Sequence, residues 1–111
     1  MGSLDGLKIL DFSTLLPGPF ASLMLADMGA EVLKISSKSK PDIVLDYPPF
    51  VEGTDISACQ AWLGRNKKTI HLDLKKPAAI EAVKKLVLEY DIVVEQFRPG
   101  VMSKLGIATR T

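Results

Sequence analysis

The chain has 111 residues, 47% of them hydrophobic, and its 14 Lys and Arg residues nearly balance 13 Asp and Glu residues, which leaves a formal charge of +1. That size and composition suffice for one packed domain or a part of one, and the near-neutral charge disfavours a nucleic-acid partner. No apolar run reaches the ~20 residues that cross a bilayer, and residues 1–5 lack the regions of a signal peptide, so we expect a soluble, cytoplasmic protein without a membrane partner (in a eukaryote, an organelle matrix is the alternative).

Short β-rich segments occur in order along the chain, at residues 7–12, 31–35, 69–74 and 91–95. Their length and their content of β-branched residues predict strands. The first, second and fourth segments are almost wholly apolar at their centres, which predicts burial on both faces, as in a parallel sheet. The third segment alternates, with Ile70, Leu72 and Leu74 on one side.

Helical segments separate the first strand from the second and the third from the fourth. Residues 19–28 place apolar side chains at helical spacing before Gly29, which is typical of a helix end. Residues 77–90 begin at Pro77, a favoured first helical residue, and present an apolar face. Strand–helix–strand therefore occurs twice, which predicts an α/β layered fold with right-handed crossovers.

The middle of the chain connects these two units. Residues 36–53 are polar and contain several prolines, which predicts a long loop, and such loops are more often functional than idle. A short helix is predicted over residues 55–63, with Thr54 or Asp55 as its cap.

The first strand runs into a turn rich in Pro and Gly at residues 13–20. A turn at the start of a helix presents backbone N–H groups, which bind anions and phosphates in α/β folds. The turn carries neither a GxGxxG nor a GxxxxGK[ST] pattern, so binding of a dinucleotide or a nucleoside triphosphate loses its main support. An ordinary Pro/Gly turn remains the alternative.

Basic residues gather around the third and fourth strands. In a parallel sheet Lys75 and Arg98 would lie beyond the carboxyl ends of two strands, where such folds place ligands. A basic pocket there would suit a phosphorylated ligand, because Arg and Lys donate charge-assisted hydrogen bonds to phosphate. Solvated helix and loop ends are the alternative. The basic residues in question are Arg65, Lys67, Lys68, Lys75, Lys76, Arg98 and Lys104.

No complete catalytic set is visible in the sequence. His71 is the only histidine, and its position on the polar side of a strand predicts a half-exposed structural residue rather than a general base. Cys59, the only cysteine, is predicted to be a small core residue rather than a nucleophile. Asp11 and Asp73 lie at strand ends, where they can bond loops or ligand hydroxyls, but neither has a visible partner. We assign no catalytic residue and no metal site.

Several motifs, in order and at consistent spacing, resemble one enzyme family over nearly the whole chain. Residues 4–12 resemble its opening strand, and residues 16–20 with 25–35 resemble its first helix and second strand. Residues 65–75 resemble the block written RNKRSI-LDLK, and residues 95–106 are similar to its E-x-FRPGVM-x-(K/R)LG signature. The chain thus resembles the N-terminal part of the family III CoA-transferase and α-methylacyl-CoA racemase (CaiB/BaiF-like) family.

The resemblance implies a Rossmann-like parallel sheet with flanking helices, within a homodimer whose subunits interlock. It divides the chain into residues 1–106, the N-terminal part of the CoA-binding domain, and residues 107–111, a divergent tail. The family's catalytic residues are expected beyond Gly106, so the 111-residue chain alone is expected to be inactive.

The implied function is that of an acyl-CoA-processing enzyme. Its reaction is CoA transfer between carboxylic acids or α-epimerisation of 2-methylacyl-CoA, and residues 95–102 slightly favour the racemase-like branch. The alternative is a non-catalytic fragment that only binds CoA or associates with protein.

The resemblance also implies where CoA binds. Leu16 and Pro17 would approach the thioester or pantetheine end. Ser37 stands where relatives often carry Arg, and Lys38 is a candidate substitute, as a point charge rather than a bidentate fork. The residues expected around the adenosine part and the phosphates are Leu72, Asp73, Leu74, Lys75, Gln96, Phe97, Arg98 and Lys104.

Overall fold

The chain alternates strands and helices in a computed structural model that describes residues 2–37, 42 and 44–105. Lys38 and the tail 107–111, about which the sequence makes predictions, lie outside the described residues. Within them, no helix is both long and apolar enough to cross a bilayer. The elements are β1 (Lys8–Asp11), α1 (Pro17–Asp27), β2 (Glu31–Ser36), α2 (Ala58–Leu63), β3 (Lys67–His71), α3 (Pro77–Val87), β4 (Ile92–Val94) and α4 (Val101–Leu105).

The strands form one parallel sheet in the order β3-β2-β1-β4. In its register Ile9 pairs with Val32 of β2 and with Ile92 of β4, which makes β1 an internal strand. The parallel α/β fold predicted from the sequence is therefore confirmed. Along the chain, β2 and β3 add successively to one side of β1, and β4 then adds to its other side, so the direction of strand addition reverses after β3. Such a reversal is where open α/β sheets bind ligands.

Apolar residues of β1 and β2 point alternately to the two faces of the sheet, as strand geometry requires. Ile9 and Leu10 are both completely buried although they face opposite sides, so the predicted burial of β1 on both faces is confirmed. The α1 face consists of Ile9, Val32, Ala26 and Ala30. The α3 face consists of Leu10, Phe12, Leu33, Ile35 and Val83.

The edge strands differ from the prediction. β4 is less buried than its apolar sequence suggested, and Ile92 is 42% exposed, because an edge strand has a neighbour on one side only. β3 begins earlier than predicted, at Lys67, and ends at His71. Leu72 and Leu74 lie beyond the strand and pack from the following loop against the α3 face.

The helix ends also differ from the predicted ones. The cap of α2 is Ser57 rather than Thr54 or Asp55, because the Ser57 hydroxyl accepts a hydrogen bond from the Gln60 N–H at 2.9 Å and also donates to the Leu45 carbonyl. α1 ends before Gly29, which has a φ of +105°. This left-handed conformation favours glycine, and a Cβ there would also displace the Asp5 carboxylate, whose oxygen would lie 2.1 Å away.

A third cluster of buried side chains joins α1, α2 and the turn that precedes α2. Leu23, Leu45 and Leu63 are buried against one another. The predicted long loop at residues 36–53 is therefore anchored to the α1 side of the sheet by Leu45, in the part that the structure describes.

Candidate functional site

A cleft of about 830 Å³ opens at the carboxyl ends of the strands, where the strand order reverses. This is the position in which open α/β sheets bind ligands. Segments that follow all the strands contribute to its walls. They are Phe12 and Thr14 after β1, Ser36 and Ser37 at the end of β2, residues 71–75 at the end of β3, and Phe97 and Arg98 after β4.

One end of the cleft is basic. Lys75 and Arg98 both line it, and both side chains are exposed. Lys104 lies in an adjoining pocket of about 530 Å³ that also includes Lys75 and Val101. The structure thus brings together three of the predicted phosphate contacts, which come from three different segments of the chain. This end lies on the α3 side, because the loops after β3 and β4 pack against the α3 face.

Residues predicted around the adenosine part of CoA lie at the same end. Leu72, Asp73, Leu74 and Phe97 all line the cleft. The Phe97 ring packs against that of Phe12, with centroids 6.5 Å apart. The Asp73 carboxylate accepts a hydrogen bond from the Lys75 N–H at 3.1 Å, which fixes the turn that carries the lysine.

His71 also lines the cleft, at the end of β3. The sequence places it on the polar side of a strand and predicts a structural residue, and in the structure its side chain is exposed in the cleft wall. Its register partner on β2 is Ser36, another wall residue. What the alternation could not reveal is that β3 ends at His71, so the residue belongs to the ligand edge of the sheet.

The other end of the cleft lies on the α1 side and contains Asp42, Asp46 and Gln60. Asp42 is buried, and its carboxylate accepts hydrogen bonds from the N–H groups of Val44 and Leu15, each at 2.9 Å. The described residues 42 and 44–46 are thereby tied to the loop between β1 and α1. The sequence had offered no reason to single out Asp42.

Three predicted contacts lie outside the cleft walls. Leu16 and Pro17 stand at the start of α1, and the Leu16 side chain is 50% exposed. The Gln96 side chain is engaged by the β1–α1 loop, since its amide donates to the Thr14 carbonyl at 2.5 Å and accepts from the Gly18 N–H at 3.1 Å. Contact of these residues with CoA stays a prediction.

A cluster of buried polar groups lies beneath the β1–α1 loop, and the sequence did not reveal it. The Asp11 carboxylate is fully buried and accepts hydrogen bonds from the Ser13 N–H at 2.7 Å, from the Ser13 hydroxyl, and from the Ser22 hydroxyl at 2.6 Å. The Lys67 ammonium lies 4.0 Å from the same carboxylate. Asp11 therefore has its hydrogen-bonding capacity filled inside the protein, and we do not assign it a ligand.

Two lysines face this cluster from β2 and β3. The Lys34 ammonium donates to the Ser13 carbonyl at 3.0 Å, and the Lys67 ammonium donates to the Pro19 carbonyl at 2.9 Å. Burial lowers the pKa of Lys34 against the opposing attraction of nearby carboxylates, of which Asp11 is the strongest. Burial also lowers the pKa of Lys67 to about 8, although Asp11 favours its charged form.

The basic run before β3 is structural rather than part of the cleft. Arg65 donates to the Asp27 carboxylate at 2.7 Å and Asn66 donates to it at 2.8 Å, which joins the start of β3 to the end of α1. These hydrogen bonds, with that from Arg65 the larger, lower the pKa of Asp27. Lys67 then turns inward, so neighbouring residues of one motif have different roles.

Comparison with known proteins supplies a family for this arrangement. The sequence profile described as CoA-transferase family III matches residues 4–111. Human succinyl-CoA:glutarate CoA-transferase is 40% identical over 105 residues, which cover 94% of this chain and 24% of that protein. Succinyl-CoA:mesaconate CoA-transferase of Haloarcula hispanica is 38% identical over 114 residues, which cover 100% of this chain and 28% of that protein.

Solved structures agree with this match. The crystal structure of a CAIB/BAIF family protein from Brucella suis superposes with a TM-score of 0.87 at 33% identity, over 97% of this chain and 29% of that one. The structure of Rv3272 from Mycobacterium tuberculosis superposes with a TM-score of 0.80 at 31% identity, over 96% and 30% of the two chains. The chain spans about a quarter of the length of the curated relatives it matches.

The depressed pKa of Lys67 predicts a pH-dependent stability. The unfolded chain keeps the Lys67 proton up to about pH 10.4, whereas the folded chain releases it near pH 8. The unfolded state therefore binds more protons between these values, and the stability that Lys67 confers rises with pH in that window. We expect wild type to gain about 1–3 kcal/mol relative to Lys67→Met between pH 8 and pH 10, as measured by chemical unfolding.

Lys84→Met is the matched control, because Lys84 is exposed on α3 and pairs only with Glu81 of the same helix at 3.7 Å. Its unfolding free energy should differ from that of wild type by the same small amount at every pH. A difference between wild type and Lys67→Met that stays constant from pH 8 to pH 10 would contradict the buried-lysine assignment.

Proposed function

Because this chain belongs to CoA-transferase family III, we propose that it is the CoA-binding part of an enzyme that transfers CoA between carboxylic acids. The observation that carries the proposal is the basic end of the cleft. Lys75 and Arg98 meet there at the ligand edge of a parallel sheet, and Lys104 stands in the adjoining pocket. Cationic side chains at this edge suit a ligand with several phosphate groups.

The cleft offers CoA both charge and an apolar wall. The pyrophosphate and the 3′-phosphate of CoA carry the negative charge that Lys75, Arg98 and Lys104 would share, and the guanidinium of Arg98 can bind one phosphate through two hydrogen bonds. Phe97, with the leucines at positions 72 and 74, supplies an apolar surface for the adenine ring. The cleft volume of about 830 Å³ lies in the range of small-molecule sites.

We propose succinyl-CoA as the CoA donor and a small dicarboxylate as the acceptor, so that succinate is released. The support comes from the relatives compared above, whose names specify succinyl-CoA with glutarate or mesaconate. The racemase reaction that the sequence left open is the second candidate, and it differs in exchanging the α-proton of the thioester. A non-catalytic CoA-binding module is the third.

The described residues supply binding rather than covalent chemistry. Asp11, at the end of the internal strand β1, is fully buried and bonded to Ser13 and Ser22, so it is not available to attack a thioester. Among residues 2–37, 42 and 44–105, no group of three or more His, Cys, Asp or Glu is arranged to hold a metal ion.

We expect the 111-residue chain to bind CoA without turning it over. Incubated with succinyl-CoA and glutarate, it should form no glutaryl-CoA above the buffer rate, as measured by chromatography of the thioesters. In deuterated buffer it should not exchange the α-proton of a 2-methylacyl-CoA, as measured by mass spectrometry. Thioester exchange above background would show that the chain carries its own catalytic group, and α-proton exchange alone would favour the racemase reaction.

Arg98→Ala is expected to weaken CoA binding by about 1.5–3 kcal/mol, which is the range for hydrogen bonds to a charged partner. The loss should be greater at low ionic strength, because salt screens the attraction between guanidinium and phosphate. Calorimetric titration of CoA into each protein at two salt concentrations measures both effects.

Lys84→Ala is the control for general charge, since it also removes one positive charge but lies on the exposed side of α3. Its affinity for CoA should stay within about twofold of wild type. Equal affinities of wild type and Arg98→Ala would remove the proposed phosphate site.

We further propose that the chain associates as a homodimer through the outer face of α1. Leu16, Phe20, Met24 and Met28 are spaced four residues apart and are each 41–50% exposed, so they form an apolar stripe. Trp62 of α2 extends it, with its ring 6.0 Å from that of Phe20. A contiguous exposed apolar patch is typical of an interaction site. Interlocking of the subunits and a cytoplasmic location stay predictions.

Met24→Glu should therefore shift the chain toward monomer, because a carboxylate in the stripe must be desolvated on association. Wild type should sediment as a dimer or larger species at tens of micromolar, which is the range of modest apolar interfaces. Leu88→Glu is the matched control, since Leu88 is 87% exposed and lies beyond the end of α3. A wild-type chain that remains monomeric at high concentration would contradict the proposal.

A further inference from the structure

The loop between β1 and α1 is held by side chains from several other elements. At its start, Asp11 accepts from the Ser13 N–H and Lys34 donates to the Ser13 carbonyl. Further along, the Leu15 N–H donates to the Asp42 carboxylate. The Gln96 amide donates to the Thr14 carbonyl and accepts from the Gly18 N–H, and Lys67 donates to the Pro19 carbonyl in the first turn of α1. The partners come from β1, β2 and β3 and from the segments that follow β2 and β4.

The loop contains one residue in a rarely occupied backbone conformation and one position where only glycine fits. Leu15 has a φ of +63°, in the left-handed region that a leucine rarely occupies. Gly18 leaves no room for a side chain, because a Cβ there would lie 2.1 Å from the Ser13 Cβ and 2.6 Å from the Gln96 Oε1. Glycine is required at position 18 chiefly by the close approach of Ser13, and it also leaves space for the Gln96 amide.

Gln96 caps α1 from a distant part of the chain. Gly18 lies in the first turn of α1, where N–H groups lack partners within the helix, and the residue before the helix, Leu16, provides no side-chain cap. The Gln96 Oε1 accepts from the Gly18 N–H, and its Nε2 donates to the Thr14 carbonyl at 2.5 Å. A side-chain amide supplies both the donor and the acceptor that these two contacts need, and it does so without a change of protonation.

We propose that Gln96 is a positioning residue, which holds the β1–α1 loop as one wall of the cleft, instead of a direct contact of CoA. The inference rests on the proposed function. With the phosphates at Lys75 and Arg98 on the α3 side, the pantetheine arm and the acyl group must extend toward Thr14 on the α1 side. A loosened loop should then weaken the hold on that arm and leave the nucleotide end unaffected.

The first test needs no ligand. Gln96→Leu keeps the size of the side chain and removes the amide, so the Gly18 N–H loses its partner. Hydrogen exchange of the loop amides should become about tenfold faster or more, because protection of an amide reports its hydrogen bond. The amides of Ile9 and Leu10 in β1 should be unchanged and report global stability. Unchanged exchange at Gly18 overturns the inference, whether or not CoA binds.

The second test separates the two ends of the ligand. Gln96→Leu should lower the affinity for CoA about tenfold, which corresponds to the loss of one hydrogen bond between the loop and the pantetheine arm. Its affinity for adenosine 3′,5′-bisphosphate should stay within about twofold of wild type. Arg98→Ala should weaken both ligands. Equal weakening of both by Gln96→Leu would make Gln96 a direct nucleotide contact and overturn the inference. If wild type binds neither ligand, the proposed function fails and the exchange result alone decides the role of Gln96.

Gln96→Glu adds a readout that mere loss of packing would not produce. A carboxylate still accepts from the Gly18 N–H but repels the Thr14 carbonyl, and protonation restores a donor to that carbonyl. Because an ordinary glutamic acid has a pKa of about 4.3, protection of the loop amides other than Gly18, expressed relative to wild type at each pH, should be low at about pH 7.5 and recover toward about pH 4. Gln96→Leu should show no recovery. A Glu variant whose protection is the same at both pH values overturns the donor role.

Discussion

The carboxylate of Asp11, fully buried at the end of β1, is the group around which the ligand edge of this protein is organised. A buried charge is costly unless it is paired and hydrogen-bonded. Here Ser13 and Ser22 fill its acceptor sites, and the ammonium of Lys67 approaches from β3. Because the charge must be compensated, the loop after β1, the first turns of α1 and the start of β3 are held in one relative position.

Charged residues at the carboxyl edge of the sheet fall into two classes that serve different purposes. Lys34 and Lys67 donate to backbone carbonyls of the β1–α1 segment, and burial depresses the pKa values of both lysines, although Lys34 also reaches the cleft wall. Lys75 and Arg98 line the cleft and are exposed, as the proposed phosphate site requires. The cleft is thus basic where a phosphate would bind and rigid where the loop forms its wall. Preorganisation of this kind reduces the ordering that a ligand must impose on binding.

The two sides of the sheet support different parts of the cleft. On the α3 side, the loops after β3 and β4 pack against a continuous apolar cluster and carry the basic end of the cleft. On the α1 side, Leu23, Leu45 and Leu63 anchor α1 to α2 and to the turn that carries Asp42. The inner face of α1 is buried in this packing, while the stripe on its outer face is apolar and exposed. One helix therefore supports the candidate site with one face and carries an exposed apolar stripe on the other.

The order of strands and helices, the parallel sheet and the basic cleft residues Lys75 and Arg98 followed from the sequence by itself. Strand and helix periodicity is local, and residues that follow parallel strands must meet at one edge. The roles of Asp11, Lys67 and Gln96 were decided only by the tertiary structure. Lys67 resembles its neighbours in a basic run, and only the register of β3 against β2 turns it toward Asp11. Gln96 is bound to a loop 78 to 82 residues away in the chain, and no local pattern encodes such a contact.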